Sequence, residues 1–256
     1  MKVMWHEHAW PEIVELIARD PVAVLPVGAV EQHGPHLPLG VDTMLCSEVA
    51  RRATERALDA GVPAVLLPTV WSGYSPHHMD FGGTLTLSTE TFQRLVIDLV
   101  RSLHHHGVRR ILIVNGHGGN AHHLRSVVQT LRFEHGIKAV TASYWDFGRE
   151  RIAAWRRSPS GGINHACEME TSLMLAVRPD LVEMDAAADV MLPARPFFSG
   201  DLTEGGAVVG AHPFAEVTET GVIGAPTMAD ATRGAVLLDE LAAAVAGFIT
   251  EFPRAR

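Results

Sequence analysis

Cysteine is nearly absent: Cys46 and Cys167, far apart and forming no CxxC pair, are the only two in 256 residues. That usage fits no disulfide framework and leads us to expect a reducing, cytoplasmic setting. No apolar run approaches the roughly 20 residues of a membrane span. The N-terminal "MKVMWHEHAWPEIVEL" carries charges and lacks an apolar targeting core, so neither membrane association nor secretion is expected. Basic residues are outnumbered, 21 against 29 acidic, for a formal net charge of −8. Phosphate binding needs clustered cations, so nucleic acid is not an expected partner. Internal repeats and long linkers are also missing, and residues 1–256 read as one domain able to bury a substantial core. What the chain does have is histidine, 15 of them, several beside glycine. That excess invites a metal argument.

Short β-branched runs alternate with longer helical ones. Strands are expected at Val22–Val27, Ala64–Val70, Arg110–Val114 and Lys138–Tyr144. Helices are expected at Cys46–Ala60, Thr89–His106 and Ala121–His135, stopped by Gly61, Gly107 and Gly136 as left-handed terminators. Such alternation predicts an α/β fold: a mostly parallel central sheet flanked by helices. Ligands of such sheets bind beyond the carboxyl ends of the strands, and "EQHGPH" and "NGHGGN" both directly follow a strand. After Pro179 the pattern weakens. The Gly- and Pro-rich "LPARPFFSGDLTEGGAVVGAHPF" reads as a surface excursion, and a last helix is expected at about Met228–Phe252.

Three segments carry candidate chemistry. In "EQHGPHLPLGVD", Glu31 and His33 are two apart and project together from an extended chain. Gly34 and Pro35 then turn it, and Asp42 can return to the same place. The bland alternative for Asp42 is a helix cap; His36 reads as a supporting histidine. In "RRILIVNGHGGNAHHL", His117 sits in a glycine-rich turn that opens a helix, with no phosphate-loop lysine and no GxGxxG. Backbone amides at Gly118 and Gly119 are placed to stabilise a developing oxyanion. In "GGINHACEMETSLML", His165 and Glu168 are three apart and would share a helix face, with Glu170 pointing elsewhere. The bland alternative for Glu168 is a helix-dipole charge. The "HHH" at 104–106 ends a helix and reads as structural. Imidazole and carboxylate without thiolate suit Zn²⁺ or Mn²⁺. Glu31, His33, Asp42, His117 and Glu168 are more donors than one tetrahedral ion uses, and a carboxylate bridging two metals accounts for the surplus.

"LPVGAVEQHGPHLPLGVD", "NGHGGN", "HACEMETSLML" and "TGVIGAPTMADATRG" together resemble the creatininase (creatinine amidohydrolase) family over nearly the whole chain. The resemblance implies a parallel α/β fold, a homo-hexamer built as a trimer of dimers, and a two-metal hydrolase. By position, Glu31, Asp42 and His117 would hold one ion. His33, Asp42 and Glu168 would hold the other, with Asp42 bridging. Creatininase proper carries a metal-binding glutamate where this chain has Gly119. Members with "NGHGGN" instead have the glutamate corresponding to Glu168. "SGYSPHHMDFGGTLTL" resembles the family's substrate loop, usually Ser-x-Glu-His before Phe-Pro-Gly-Thr, which marks Ser75, His77 and His78 as substrate-binding. Here His77 replaces the glutamate and Gly82 the proline. The expected activity is hydrolysis of a cyclic or small-molecule C–N amide by a metal-activated water, with His165 as proton shuttle. The alternatives are a peptidase trimming a precursor peptide, a formamide deformylase, or a non-catalytic metal-binding scaffold. A metal-dependent sugar isomerase would need eight βα repeats, which are not found.

Overall fold

The computed structural model describes residues 2–193, 196–204 and 206–252. Four strands, β1 (Val22–Val27), β2 (Ala64–Leu66), β3 (Arg110–Asn115) and β4 (Val140–Ser143), form a wholly parallel sheet in the order β2-β1-β3-β4. β1 is apolar at every position because both faces of the sheet are covered. Val22 and Val24 face one core with Leu66, Leu112 and Val114. Ala23, Leu25 and Val27 face a second core with Val65, Ile111 and Ile113. The first is closed by α2 (Val41–Asp59), α6 (Glu168–Val177) and α7 (Ala231–Glu251), the second by α3 (Thr89–His105) and α4 (Ala121–His135). Sequence periodicity predicts this α/β arrangement correctly.

The departures have local causes. β2 stops at Leu66 rather than Val70. Pro68 has no N–H to offer a sheet, and Pro26 of β1 lies on the same side, so the ladder breaks and resumes only as a bridge between Val27 and Val70. α2 begins at Val41, five residues earlier than predicted, with Gly40 as its cap. Asp42 therefore lies inside the first turn, makes no capping bond and is buried, which removes the helix-cap alternative. Gly61, Gly107 and Gly136 all take positive φ and end their helices as expected. The last helix starts at Ala231, where Asp230 caps it by accepting from the Arg233 N–H. Two short helices escape the sequence reading, α1 (Trp10–Ala18) and α5 (Arg149–Trp155), as does a small antiparallel pair, β5 (Ile163–His165) and β6 (Ile223–Gly224). The excursion from 192 to 214 is largely exposed; residues 194, 195 and 205 of it lie outside the described residues. It is pinned by buried Asp201, which accepts from the Gly161 and Ile163 N–H groups and pairs with Arg156.

Candidate metal centre

The carboxyl ends of β1 and β3 deliver the first group. Beyond β3 the chain turns through a tight loop held at both ends by asparagine. Asn115 accepts from the His117 N–H and donates to the His117 carbonyl and to Ser143. Asn120 donates to the Gly28 carbonyl and accepts from the Tyr74 N–H. His117 is thereby fixed, with Nε2 3.2 Å from Glu31 Oε2 and Nδ1 3.1 Å from Asp42 Oδ2. The other oxygen of Asp42, Oδ1, lies 3.4 Å from His33 Nε2. The Nδ1 of His33 faces the Glu31 carbonyl, which can only accept, so Nδ1 carries the proton and Nε2 is the free donor atom.

The next neighbour of His33 is Glu170, whose Oε1 lies 3.9 Å from His33 Nε2. This corrects the expectation for Glu168. The three-residue spacing rule needs one continuous helix, but His165 ends strand β5 and Ala166 turns the chain with φ of +51° before α6 begins. Glu168 consequently points back to the loop after α5. There it accepts from the Arg157 and Ser158 N–H groups, the Ser158 bond at 2.8 Å. The signal that would have favoured Glu170 is Cys167-x-x-Glu170, a third-position acid reaching back to the N-terminal residue of the helix.

Four donor groups result among the described residues: Glu31/Asp42/His117 and His33/Asp42/Glu170, which share Asp42, and two more that join Glu31 to His33 and His165 and to His77 and His78. Both Glu31 oxygens, His33 Nε2 and Asp42 Oδ2 are buried without a hydrogen-bond partner, although these groups face one another. Unpartnered buried acceptors are costly, and a pair of divalent ions would satisfy them. The donor set therefore fits the implied metals. Protons fill the same role in the bare protein. Burial alone would lower the His33 pKa, but Asp42, then Glu170 and Glu31, outweigh it and raise it to about 9. His117 is likewise raised against burial, by Glu31 and Asp42, and Glu31 is lowered against burial by His117 and His78. Burial pushes Glu170 up to about 7, against the pull of His33.

Around the donors lies a histidine wall. His165 donates from Nε2 to the Gln32 carbonyl at 2.7 Å, leaving Nδ1 as an acceptor 3.8 Å from Glu31 Oε1. Burial, then the charges of His33 and His78, holds its pKa well below the ordinary range. Gln32, which the sequence reading passed over, presents its amide nitrogen to His78 Nδ1 at 2.8 Å and to the Gly221 carbonyl at 3.1 Å. His78 then turns Nε2 to within 3.1 Å of Glu31 Oε1. Ser75 Oγ lies 3.2 Å from His117 Nε2, and His77 stacks parallel to His117. Gly118 is exposed, Gly119 half-buried. Phe214 packs on His77, His78 and His165, with its ring 4.1 Å from that of His78. His36 belongs to neither donor set and bonds Thr171 at 2.9 Å, the supporting part expected of it. His105 and His106 are exposed at the end of α3, and His104 there is half-buried.

Residues 6–249 match the creatininase (creatinine amidohydrolase) family profile. The chain belongs to the creatininase family. It is 35% identical over 199 residues to the creatinine amidohydrolase of Pseudomonas putida, covering 72% of this chain and 75% of that protein. It is 33% identical over 247 residues to the mycofactocin precursor peptide peptidase of Mycobacterium tuberculosis (strain CDC 1551 / Oshkosh), covering 93% of this chain and 89% of that one. A solved manganese creatininase superposes with a TM-score of 0.81 at 31% identity, covering 99% of this chain and all of that one. As a creatininase-family member the chain is a hydrolase, and among its described residues no helix is long and apolar enough to cross a membrane.

Proposed function

We propose that this creatininase-family chain is a two-metal amidohydrolase that cleaves a C–N amide bond in a cyclic or otherwise small molecule. Asp42 carries the reading: its two oxygens lie at 3.4 Å from His33 and 3.1 Å from His117, the posture of a bridging carboxylate between two donor sets. Glu31 and His117 complete one set, His33 and Glu170 the other. Zn²⁺ or Mn²⁺ held there would lower the pKa of water towards neutrality and polarise an amide carbonyl. His165, neutral and with Nδ1 turned to the cluster, is placed to take a proton from the attacking water and deliver it to the leaving nitrogen. Amides of Gly118 and Gly119, in the short turn that leads into α4, add donors for the tetrahedral oxygen. Ser75, His77 and His78 line the substrate side, and Phe214 supplies an apolar cover that excludes water.

A peptide amide is the second reading. It is favoured by the match to the precursor-peptide peptidase, which runs over 93% of this chain against 72% for the creatinine amidohydrolase. The proposal also includes cytoplasmic residence and a trimer-of-dimers hexamer. Trp10 and Trp71, 79% and 56% exposed, are surfaces that such an assembly would cover. The test is metal analysis of the purified protein, then a panel of cyclic amides, formamides and short peptides on the reloaded enzyme. The reading requires about two ions per chain and hydrolysis abolished by chelator. In the same assay His165→Ala should lower turnover by roughly two to four orders of magnitude with both ions retained. Loss of an ion in that variant would make His165 a ligand instead.

A further inference from the structure

Gln32 has no part in the proposed reaction, yet it stands between two of the metal donors, Glu31 and His33, and is only 6% exposed. Backbone groups hold its carboxamide at both ends. Oε1 accepts from the Gly34 N–H at 2.9 Å, and the amide nitrogen donates to the Gly221 carbonyl at 3.1 Å. Reversing the group would set oxygen against oxygen and N–H against N–H, so these partners assign its two ends. Residue 221 is shaped to the contact: it takes φ of +81°, and a Cβ there would collide with the Gln32 carboxamide.

A primary amide carries two N–H bonds, and the second goes to His78, whose Nδ1 lies 2.8 Å from the Gln32 nitrogen. That nitrogen can only donate, so Nδ1 accepts and the proton of the neutral ring sits on Nε2. Nε2 is the atom 3.1 Å from Glu31 Oε1. The backbone carbonyl of Gln32 acts on the other ring in the opposite sense. It accepts from His165 Nε2 at 2.7 Å, which turns the bare Nδ1 towards Glu31 Oε1 at 3.8 Å. The 3.1 Å approach of the Gln32 nitrogen to His165 Nε2 sets one N–H beside another and is no bond. His78 and His165, with ring centroids 4.5 Å apart, thus show Glu31 an N–H and a lone pair.

We propose that Gln32 is a positioning residue: it keeps the proton on His78 Nε2, which makes His78 a donor aimed at Glu31 Oε1 and not a metal ligand. Glu31 then turns Oε2, 3.2 Å from His117 Nε2, to the ion it shares with Asp42 and His117. The group that joins Glu31 to His77 and His78 holds no ion on this account. The action on Glu31 rests on the two-metal reading; the placement of the proton does not.

The test is solid-state ¹⁵N NMR of Zn²⁺-loaded, full-length protein labelled at its histidine rings, where protonated and bare nitrogens give separate signals. The His78 and His165 signals are assigned by their loss in His78→Asn and His165→Ala. In wild type, His78 should show a bare Nδ1 and a protonated Nε2. Gln32→Met keeps the length of the side chain but removes its donor. In that variant His78 should lose this single pattern, while His165, held by the backbone carbonyl, keeps its own. Zn²⁺ titrated against a competing chelator should bind one site about ten- to a hundredfold more weakly. Gln32→Leu takes its place if Gln32→Met does not fold. A wild-type His78 with its proton on Nδ1, or with Nε2 bound to Zn²⁺, would overturn the inference and leave the two-metal reading intact. Unchanged Zn²⁺ affinity in the Gln32 variants would overturn it too. A wild type that binds no Zn²⁺ would overturn the two-metal reading, and the same ring signals would still decide where the His78 proton lies.

Discussion

Glu31 and His117 stand beyond β1 and β3, adjacent strands of the parallel sheet, whereas Glu170 comes from α6, outside the sheet. The donors of both sides are buried, Glu31 and His33 completely, His117 to 4% and Glu170 to 6% exposure, and the difference lies in what surrounds them. Beside the first, Gly118 is exposed and His77 half-buried. Beside the second, buried His36, Thr171 and Cys167 close in. The first side therefore borders a surface loop, while the second joins His33, from the segment after β1, to Glu170 on the packed helix α6. An ion on the outer side should leave first under chelation, with the inner one exchanging more slowly.

Asp42→Ala is the strongest way to break this distinction, because both sides depend on the same carboxylate. Neither ion should survive dialysis in that variant, and hydrolysis should vanish with them. If the two ions were instead lost separately and independently, Asp42 would not be a bridge. Metal content measured beside activity decides it.

Glu170 and Glu168 sharpen the same comparison, since they lie two residues apart and serve different ends. Glu170→Ala should empty the inner site and spare the fold. Glu168→Ala should keep both ions but strand the buried Ser158 N–H and the part-buried Arg157 N–H. The expected cost is about 2 kcal/mol or more of unfolding free energy, read from denaturant titration. An ion lost from Glu168→Ala with stability unchanged would restore the assignment that the structure overturns.

That pair also marks how far the sequence could be read. β1, β3, α3 and α4 were legible because an apolar run or a 3.6-residue period repeats over many positions and a glycine closes each helix. Glu31, His33, Asp42 and His117 were legible because each directly follows a strand or turn whose direction is fixed locally. Glu170 was not. Its placement depends on a single left-handed residue, Ala166, which no periodicity announces. Gln32 was missed for a related reason: its amide nitrogen meets His78 and Gly221 and its carbonyl accepts from His165, partners 46 to 189 residues away.

A smaller effect concerns pH and the protein stripped of metal. The pKa of His33 is about 9 in the folded chain against an ordinary 6.5, so the folded state binds the proton more tightly. Its contribution to stability is complete below about 6.5 and is lost as pH rises through about 9. His117, raised by Glu31 and Asp42, acts in the same direction. Metal-free protein should therefore melt at progressively lower temperature from about pH 6.5 to 9. Loading should displace the protons and flatten the decline. Parallel melts of stripped and loaded protein measure this, and identical pH profiles would mean that metal does not replace the protons on these histidines.

The smallest effect is expected at Cys167, a residue near the site that offers a different chemistry. Cysteine catalysis needs a thiolate, and burial, followed by the charge of Glu170, pushes this thiol well above its ordinary range. Its Sγ points to Glu170 Oε2 at 3.7 Å, so the thiol acts as a weak donor that helps orient that carboxylate. Serine preserves the donor at nearly the same size. Cys167→Ser should therefore retain activity within about twofold, well below the tenfold that 1.4 kcal/mol of transition-state energy would give. It should also remain fully sensitive to chelator. Hydrolysis that resists chelator and disappears with a thiol reagent would move the reaction from the carboxylate–imidazole cluster to Cys167, and the contrast between the two sides would no longer bear on catalysis.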